Sequence, residues 1–157
     1  MDIFEYIEKK FEGKTDKCGD PYVFHLYRVA KTASNSEYMW LTETEKNEVY
    51  KIGLLHDILE DTNTTVDELK TLDYISDTVI DAVVTLTRTK EETYNEYIER
   101  VGDNRLATVV KLHDLKDNMD ITRYTNFKDI SISLLERYHK AYNFLFKQIV
   151  KLENKSN

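Results

Sequence analysis

One nine-residue stretch, LLHDILEDT at residues 54–62, constrains this chain more than any other part of its sequence. Four of its residues are apolar and favour burial, yet four others are ionisable: His56, Asp57, Glu60 and Asp61. Side chains four residues apart share one face of a helix, so the ionisable groups form two polar pairs. Ionised carboxylates are almost never buried without a compensating partner. The stretch therefore predicts a buried positive charge, which a divalent metal ion supplies better than a nearby lysine; the alternative is a solvated helix edge with His56 half exposed.

Length and charge limit the classes of function. The 157 residues predict one domain over 1–157, large enough to bury a core and to enclose a pocket. A net charge of −7 argues against a nucleic-acid partner but not against one small phosphorylated ligand. The single Cys18 excludes an internal disulfide, and neither a signal pattern nor an apolar run of roughly 20 residues is present. We expect a cytoplasmic protein without a membrane partner.

The pattern of the chain predicts an all-α fold, a compact irregular bundle of about eight helices. It has 4 Gly, 1 Pro and no alternating strand pattern. Thr42 with Glu45 three residues later is typical of a capping box, and TTVDEL offers another helix start. The apolar and aromatic stripe of the last helix predicts a structural wrapper with its Tyr and Phe side chains in the core. The predicted helices span about 2–11, 21–34, 43–61, 65–71, 76–87, 92–101, 104–119 and 129–152.

Two further residues complete a candidate metal site. His25 lies on an apolar helix face in GDPYVFHLYRVA, and Asp114 lies in the otherwise buried run VVKLHDL. Each alone has an ordinary explanation, a core histidine or a solvent-facing aspartate. Together with His56 and Asp57 they supply two imidazoles and two carboxylates, a set that suits Mn²⁺, Fe²⁺ or Co²⁺ and tolerates Zn²⁺. Four protein ligands leave positions on a six-coordinate ion for a water and a substrate oxygen.

Three motifs occur in order along the chain: KCGDPYVFH, LLHDILEDT and VKLHDLKDNM. They resemble the K-x-G-x-P-Y-x-x-H, LLHD-x-x-EDT and VKLAD-x-x-x-N-M segments of the HD-domain phosphohydrolases, in particular of the hydrolase domain of alarmone (p)ppGpp hydrolases. The resemblance covers about residues 14–123 and is to the short stand-alone members. It implies an HD-domain fold that binds a divalent metal, Mn²⁺, through His25, His56, Asp57 and Asp114, and that hydrolyses pyrophosphate from a phosphorylated nucleotide.

The same resemblance implies roles for four more residues, and a position at a helix end makes Arg88 a further candidate. Glu60 and Asp61 match the acidic pair near the attacking water, and a carboxylate one turn beyond a metal ligand suits general-base catalysis; which of the two carries the proton stays open. Lys17 matches a lysine near the substrate base, and Asn118 matches an asparagine of the same cavity. Arg88, after VVTLT, is a candidate phosphate contact at a helix end. The alternatives are that Lys17 and Arg88 are simply solvated and that Asn118 caps its own helix.

Departures from the motifs concern the substrate more than the metal. Thr15 and Asp16 occupy positions where these hydrolases commonly carry basic residues. Leu26 occupies the position of a proline, and Leu115 occupies the position of a basic residue. His113 stands for the alanine beside the last aspartate and is expected to be a bulky neighbour, the alternative being a group that supports a metal ligand from behind. Because Arg supplies a planar cation for stacking that Asp cannot imitate, we expect relaxed selectivity for guanine, and an Asp16→Arg variant is expected to bind guanine better.

These observations predict a metal-dependent phosphohydrolase acting on a guanosine 3′,5′-polyphosphate or a closely related small nucleotide. Two other functions stay open. One is a nucleotide phosphatase that removes a 2′- or 3′-phosphate from a cofactor such as NADPH. The other is a non-catalytic nucleotide-binding regulator that keeps the metal for structure, although the intact Glu60 and Asp61 pair favours catalysis.

Overall fold

Helices form nearly all the regular structure of this protein in the computed structural model, which describes residues 1–156. Within that range there are nine α-helices, two 3-10 helices and no β-strand, so the predicted all-helical fold is confirmed. The α-helices are α1 Ile3–Lys10, α2 Tyr22–Ser34, α3 Glu43–Leu55, α4 Ile58–Asp61, α5 Val66–Lys70, α6 Asp77–Leu86, α7 Tyr94–Gly102, α8 Arg105–Asn118 and α9 Ile132–Ser156. The 3-10 helices are Ile121–Arg123 and Phe127–Asp129. None of the helices described is long and apolar enough to cross a membrane.

Side-chain caps determine where several helices begin. The Thr42 side chain accepts from the backbone N–H of Glu45, and the Glu45 side chain accepts from the backbone N–H of Thr42, which is the predicted capping box. Thr65 caps α5 by accepting from the N–H of Glu68. Helices α1 and α7 begin with the same reciprocal arrangement as α3. Each cap satisfies N–H groups that have no partner inside the helix.

The helix predicted over 43–61 is interrupted, so that prediction is wrong at one turn: α3 and α4 are separate helices. Between them, Nδ1 of His56 lies 2.7 Å from the carbonyl oxygen of Gly53. A continuous helix would pair this oxygen with the N–H of Asp57, four residues later. The imidazole competes with the backbone for that carbonyl, and the helix breaks where the histidine and the aspartate lie.

The helix predicted over 129–152 begins later, at Ile132, and the residues before it form the two 3-10 helices. Asp120 and Asn126 begin these short helices, because each side chain accepts a hydrogen bond from the backbone N–H two positions on. This local bonding favours turns over a continuous helix. The chain between α8 and α9 therefore folds back as turns.

Helix α2 packs against both α3 and α8. Its buried face carries Leu26, Val29 and Ala30 at helical spacing. Across the interface with α3, a Cβ atom added at Gly53 would lie only 2.5 Å from the Cα atom of Ala30. The missing side chain lets the two backbones approach closely. Near this contact, His25 in the first turns of α2 lies beside His56, which follows the end of α3.

The aromatic residues of α9 are not all core residues, which corrects the expectation for this helix. Leu145 and Ile149 are buried, but Phe144 and Phe146 stay exposed at 37% and 43%. Tyr138 faces a cavity at the first turns of α9. The helix is therefore a structural wrapper along most of its length and part of a cavity wall near its start.

Candidate metal centre and cavity

Four side chains from distant parts of the chain converge on one point, and they are the predicted metal ligands His25, His56, Asp57 and Asp114. Nε2 of His25 lies 3.3 Å from Nε2 of His56 and 3.3 Å from Oδ1 of Asp114. Nε2 of His56 lies 3.0 Å from Oδ2 of Asp57 and 3.7 Å from Oδ1 of Asp114. Nε2 of His25 lies 3.7 Å from Oδ2 of Asp57. Helix α2, the break between α3 and α4, and helix α8 position these groups.

The distances and the donor types fit a divalent metal ion. Ligand atoms bound at about 2.1 Å from one ion lie roughly 3.0 to 3.4 Å from their neighbours in octahedral or tetrahedral arrangements. The ligand atoms of His25, His56 and Asp114 all lie within 4.8 Å of one another. Two imidazole nitrogens with carboxylate oxygens suit first-row divalent metals. The cluster therefore has the size and the chemistry of a mononuclear metal site.

Each imidazole makes a hydrogen bond at its outer nitrogen. Nδ1 of His56 lies 2.7 Å from the carbonyl oxygen of Gly53 and must donate to it. Nδ1 of His25 lies 2.7 Å from Oδ2 of Asp117, to which it likewise donates. In the neutral form that binds a metal, an imidazole has one N–H, so each Nε2 would then present a lone pair to the centre. Outer partners of this kind orient metal-binding histidines.

The two carboxylates of the centre have further partners. Asp114 accepts a hydrogen bond from Nζ of Lys111 at 2.7 Å and another from the side-chain amide of Asn118. The same amide also donates to the backbone carbonyl of Asp114 at 3.0 Å, so Asn118 has a capping contact as well as a cavity position. The hydroxyl of Tyr22 donates to Asp57 at 2.6 Å. Sequence reasoning missed Lys111 and Tyr22, although each is three residues from a predicted ligand on the same helix face.

The local charges favour a cation at this centre. Burial lowers the pKa of His56, but Asp57 and Asp114 outweigh that effect and raise it to about 10. Burial also lowers the pKa of His25, but its contacts with carboxylates, chiefly Asp114, outweigh burial and raise the pKa. Burial disfavours the charged form of Asp114, yet the nearby Lys111 and the histidines hold its pKa well below its usual range. The carboxylates thus hold protons on the imidazoles, and a divalent ion would take the place of those protons.

The centre lies in the wall of a cavity with a volume of about 410 Å³, a size typical of small-molecule sites. Every predicted site residue lines this cavity except His56, which is buried behind it at 2% exposure. Lys17, Arg88 and Asn118 are thus brought to the same space as the metal centre. The sequence placed these residues on separate segments, and the fold brings them together.

Glu60 and Asp61 face the cavity from α4. The pKa of each carboxyl is raised, first by loss of solvent at the cavity wall and then by the negative charge of Asp57. At Glu60 the backbone N–H of Arg88, 3.4 Å from Oε2, opposes this shift. A raised pKa brings a carboxylate nearer to the range in which it accepts a proton effectively at neutral pH.

Cations and aromatic rings alternate along one wall of the cavity, and we call Lys17, Tyr138, Arg137, Tyr94 and Arg88 the cation-aromatic wall. Nζ of Lys17 lies 5.3 Å from the ring centre of Tyr138. The guanidinium carbon of Arg137 lies 5.6 Å from that ring centre and 4.6 Å from the ring centre of Tyr94. Arg88 lies 6.0 Å from the ring of Tyr94. Among residues 1–155, no carboxylate forms an ion pair with these three cations, so their charge faces the cavity uncompensated.

A second group of charges lies near His25 and is internally paired. Arg28 donates to both oxygens of Asp117, from Nε at 2.6 Å and from Nη2 at 2.9 Å. Arg123 donates to Asp117 at 3.2 Å and also contacts Asp16. Sequence reasoning missed these partners. Arg28 and Asp117 each follow a predicted ligand by three residues, which was an available signal, whereas nothing local points to Arg123.

His113 lies outside the cavity, as expected of a bulky neighbour of Asp114. Its Nε2 lies 2.9 Å from the hydroxyl oxygen of Ser36. Burial, with a smaller effect from Lys116, lowers the pKa of His113 to about 4, so the imidazole is neutral at pH 7. His113 therefore packs and forms a hydrogen bond without contributing charge to the centre.

Comparisons with known proteins identify the family of this chain. Residues 22–152 match the HD domain family. The chain is 27% identical over 147 residues to the guanosine-3′,5′-bis(diphosphate) 3′-pyrophosphohydrolase of Aquifex aeolicus (strain VF5), in an alignment that covers 86% of this chain and 20% of that protein. The chain thus spans about a fifth of the length of the curated relative that it matches.

A solved structure gives the same picture of the fold. It is of a metazoan ortholog of SpoT that hydrolyzes ppGpp and plays a role in starvation responses, and it has a TM-score of 0.67 and 21% identity with this chain. The match covers 94% of this chain and 83% of the other. The family match, which extends from the start of α2 to the last turns of α9, confirms the family resemblance seen in the three motifs: this chain belongs to the HD domain family.

Proposed function

We propose that this protein is a metal-dependent phosphohydrolase that releases pyrophosphate from guanosine 3′,5′-bis(diphosphate) or a closely related phosphorylated nucleotide. One observation carries the proposal: a cluster of two histidines and two aspartates opens into the same cavity as an acidic pair and three cations that have no ion pair among residues 1–155. Similarity to the Aquifex aeolicus pyrophosphohydrolase supports the choice of substrate. Mn²⁺ as the ion and the cytoplasm as the compartment belong to the same proposal.

The ion would be held by His25, His56, Asp57 and Asp114, whose donor atoms suit Mn²⁺. A divalent ion bound there lowers the pKa of a coordinated water and polarises a phosphoryl oxygen. The protein's own contribution begins with orientation, since the outer hydrogen bonds of both histidines fix which nitrogen faces the centre. Lys111 keeps Asp114 ionised as a ligand by compensating its charge at 2.7 Å.

Glu60 and Asp61 are the proposed candidates for the general base that accepts the proton of the attacking water. Both face the cavity, both have a raised pKa, and they follow the proposed ligand Asp57 by three and four residues. One carboxylate takes the proton as the water attacks phosphorus, and the acid formed can return it to the departing ribose oxygen. The backbone N–H of Arg88 orients Glu60 from one side.

The cation-aromatic wall is proposed to hold the nucleotide. Its three cations suit a ligand with several phosphates, since charge-assisted hydrogen bonds to phosphate are strong and long-lived in a partly enclosed site. The rings of Tyr94 and Tyr138 offer faces for a base or for the ribose. Asn118 lines the cavity and also borders a smaller pocket together with Lys17 and Tyr138, which supports the substrate contacts inferred from the motifs.

A second function, phosphatase activity on a cofactor such as NADPH, is favoured by one observation. Asp16 stands where a basic residue was expected, and it forms ion pairs with Arg123 and Arg28, so neither of these two arginines is free to stack on a base next to Lys17. The site therefore has phosphate contacts but a weak basis for selecting guanine. A related nucleotide with an extra ribose phosphate presents the same anionic groups.

A hydrolysis screen tests these functions directly. The purified Mn²⁺-loaded protein is incubated with ppGpp, pppGpp, NADPH and nucleoside mono- to triphosphates, and released pyrophosphate and phosphate are measured separately. Pyrophosphate from ppGpp supports the first function, and phosphate from NADPH alone supports the second. Cleavage of nothing in the screen would contradict both and favour the regulator. His56→Ala should abolish the activity, whereas His139→Ala, an exposed histidine of α9 outside the cavity, should retain it.

A further inference from the structure

The carboxylate of Asp117, at the end of α8, has no role in the proposed reaction, yet it lies at the meeting point of three polar side chains. Its Oδ2 lies 2.7 Å from Nδ1 of His25. Arg28 donates to Oδ1 at 2.6 Å and to Oδ2 at 2.9 Å, and Arg123 donates to Oδ2 at 3.2 Å. The Asp117 side chain is only 12% exposed. A carboxylate with so little exposure and this many donors has one well-defined position.

The contact with His25 decides which ring nitrogen faces the metal centre. When Nδ1 carries the proton and donates it to Asp117, the lone pair of Nε2 points to the centre, 3.3 Å from Nε2 of His56. The other tautomer would place an N–H at the centre and leave no lone pair for a metal. A carboxylate accepts this hydrogen bond more strongly than a carbonyl does and makes the imidazole a more basic ligand.

The two arginines hold the carboxylate in the orientation that His25 needs. Arg28 follows His25 by one turn on α2 and binds Asp117 in a two-pronged arrangement, which fixes the plane of the carboxylate. Arg123 approaches from the first 3-10 helix and prevents rotation towards solvent. The arginines also offset the charge of Asp117, so that it adds no uncompensated negative charge beside the centre.

We propose that Asp117 is a positioning residue for the metal centre, which it serves by holding His25 with Nε2 directed to the ion. This inference rests on the proposed metal site and requires no particular nucleotide substrate. Asp117 acts through His25 and not on the reacting atoms, so its loss should weaken metal binding first. Loss of such a partner typically costs ten- to a hundredfold in metal affinity.

The test measures Mn²⁺ binding to the metal-free protein by electron paramagnetic resonance, without any nucleotide. Asp117→Ala should weaken Mn²⁺ binding about ten- to a hundredfold, and the nearly isosteric Asp117→Asn should weaken it less. Asp117→Asn also serves if the alanine variant folds poorly. Asp103→Asn, which removes one exposed negative charge after α7, is the control and should bind Mn²⁺ as the wild type does.

A second readout separates positioning from a merely structural role. In the Zn²⁺-loaded wild type, proton NMR should show a slowly exchanging Nδ1–H of His25, and this resonance should be lost or strongly shifted in Asp117→Ala. Arg28→Gln leaves Asp117 in contact with His25 and Arg123, so it should keep the resonance and weaken Mn²⁺ binding less than Asp117→Ala does. If the wild type binds Mn²⁺ and Asp117→Ala matches both its affinity and its resonance, Asp117 only anchors the arginines. If the wild type itself binds no Mn²⁺, the proposed function fails as well.

Discussion

Gly53 of α3 faces Ala30 of α2 at a distance that leaves no room for a methyl group between the two helices. A Cβ atom at position 53 would lie 2.5 Å from Cα and 2.9 Å from N of Ala30, and backbone atoms cannot turn aside as a side chain can. Gly53→Ala should therefore separate the helices and destabilise the fold by about 1–3 kcal/mol, measured by urea unfolding. Mn²⁺ affinity should also fall, since His25 is on α2 and His56 directly follows α3, so a wider separation of the two helices moves these proposed ligands apart.

Gly102→Ala is the matched control for that substitution. Its Cβ atom would lie 3.3 Å from a ring carbon of Phe144, a side chain that is 37% exposed and free to move. Replacing Gly by Ala gains about 1 kcal/mol in a helix interior, and part of that gain at this last residue of α7 offsets the tight contact, so we expect little net change. Wild-type stability and metal affinity in Gly53→Ala would show that α2 and α3 tolerate a wider separation than the packing indicates.

The proposed catalytic pair is tested with Glu60→Gln and Asp61→Asn. Neither residue belongs to the proposed ligand set, so both variants should bind Mn²⁺ with wild-type affinity. The turnover number of at least one should fall by about a hundredfold or more, the usual size of a general-base contribution. Near-normal turnover in both variants would assign the pair to structure. The more impaired variant should also lose the acidic limb of the pH–rate profile.

The protonation of His56 predicts how stability and metal binding change with pH. Its pKa is about 10 in the metal-free protein, compared with about 6.5 when unfolded. The charged imidazole therefore stabilises the metal-free fold fully below about pH 6.5, and this contribution is lost as the pH rises towards 10. Urea unfolding in the presence of a chelator should show lower stability at about pH 8.5 than at about pH 6.

Mn²⁺ affinity should show the opposite trend, because the ion displaces protons from the histidines. It should rise by up to about tenfold per pH unit for each proton displaced over the same range. Titration of Mn²⁺ into weakly buffered protein should release the protons that the ion displaces from the histidines. Affinity that does not change with pH would argue against imidazole ligands. His139→Ala should leave both trends as they are.

The wall residue Arg137 provides a test of substrate binding. Its guanidinium has no carboxylate partner among residues 1–155 and lies over the ring of Tyr94 at 4.6 Å. Arg137→Gln should raise KM for ppGpp about tenfold with little change in turnover, since hydrogen bonds to charged groups contribute about 1.5–3 kcal/mol. Lys147→Gln, an exposed cation on the same helix, is the control. An unchanged KM would place the phosphates elsewhere in the cavity.

Asp16 behaves differently from what its place in the motif indicates. The sequence alone favours Asp16→Arg as a route to tighter guanine binding, but the carboxylate contacts Arg123 and lies 3.7 Å from Arg28. An arginine at position 16 would face two others, so the variant should lose stability and raise KM. The reversed pair, Asp16→Arg with Arg123→Asp, should recover part of the stability in a double-mutant cycle. Tighter ppGpp binding by the single variant would restore the original expectation.

The parts of this protein that the sequence predicts are those that depend on local pattern. Helix starts such as Thr42 follow from capping chemistry, and the spacing of the motifs identifies His25 and Asp114 as candidate metal ligands. The break at His56 was missed because it depends on one hydrogen bond from a side chain to a backbone carbonyl. The periodicity of apolar residues carries no information about such a bond. Arg137 was missed for a different reason: its role comes from packing between α9 and α7, and nothing near it in the sequence marks it as part of a cavity.

The contact between His25 and Asp117 joins positions 92 residues apart, and this separation has a consequence for how the protein folds. Closing so long a loop costs chain entropy before any contact at the centre repays it. Neither α2 nor α8 alone can assemble the cluster, so high-affinity metal capture should come late in refolding, after these helices have docked. In a stopped-flow experiment, the metal signal would then lag behind the recovery of helical circular dichroism.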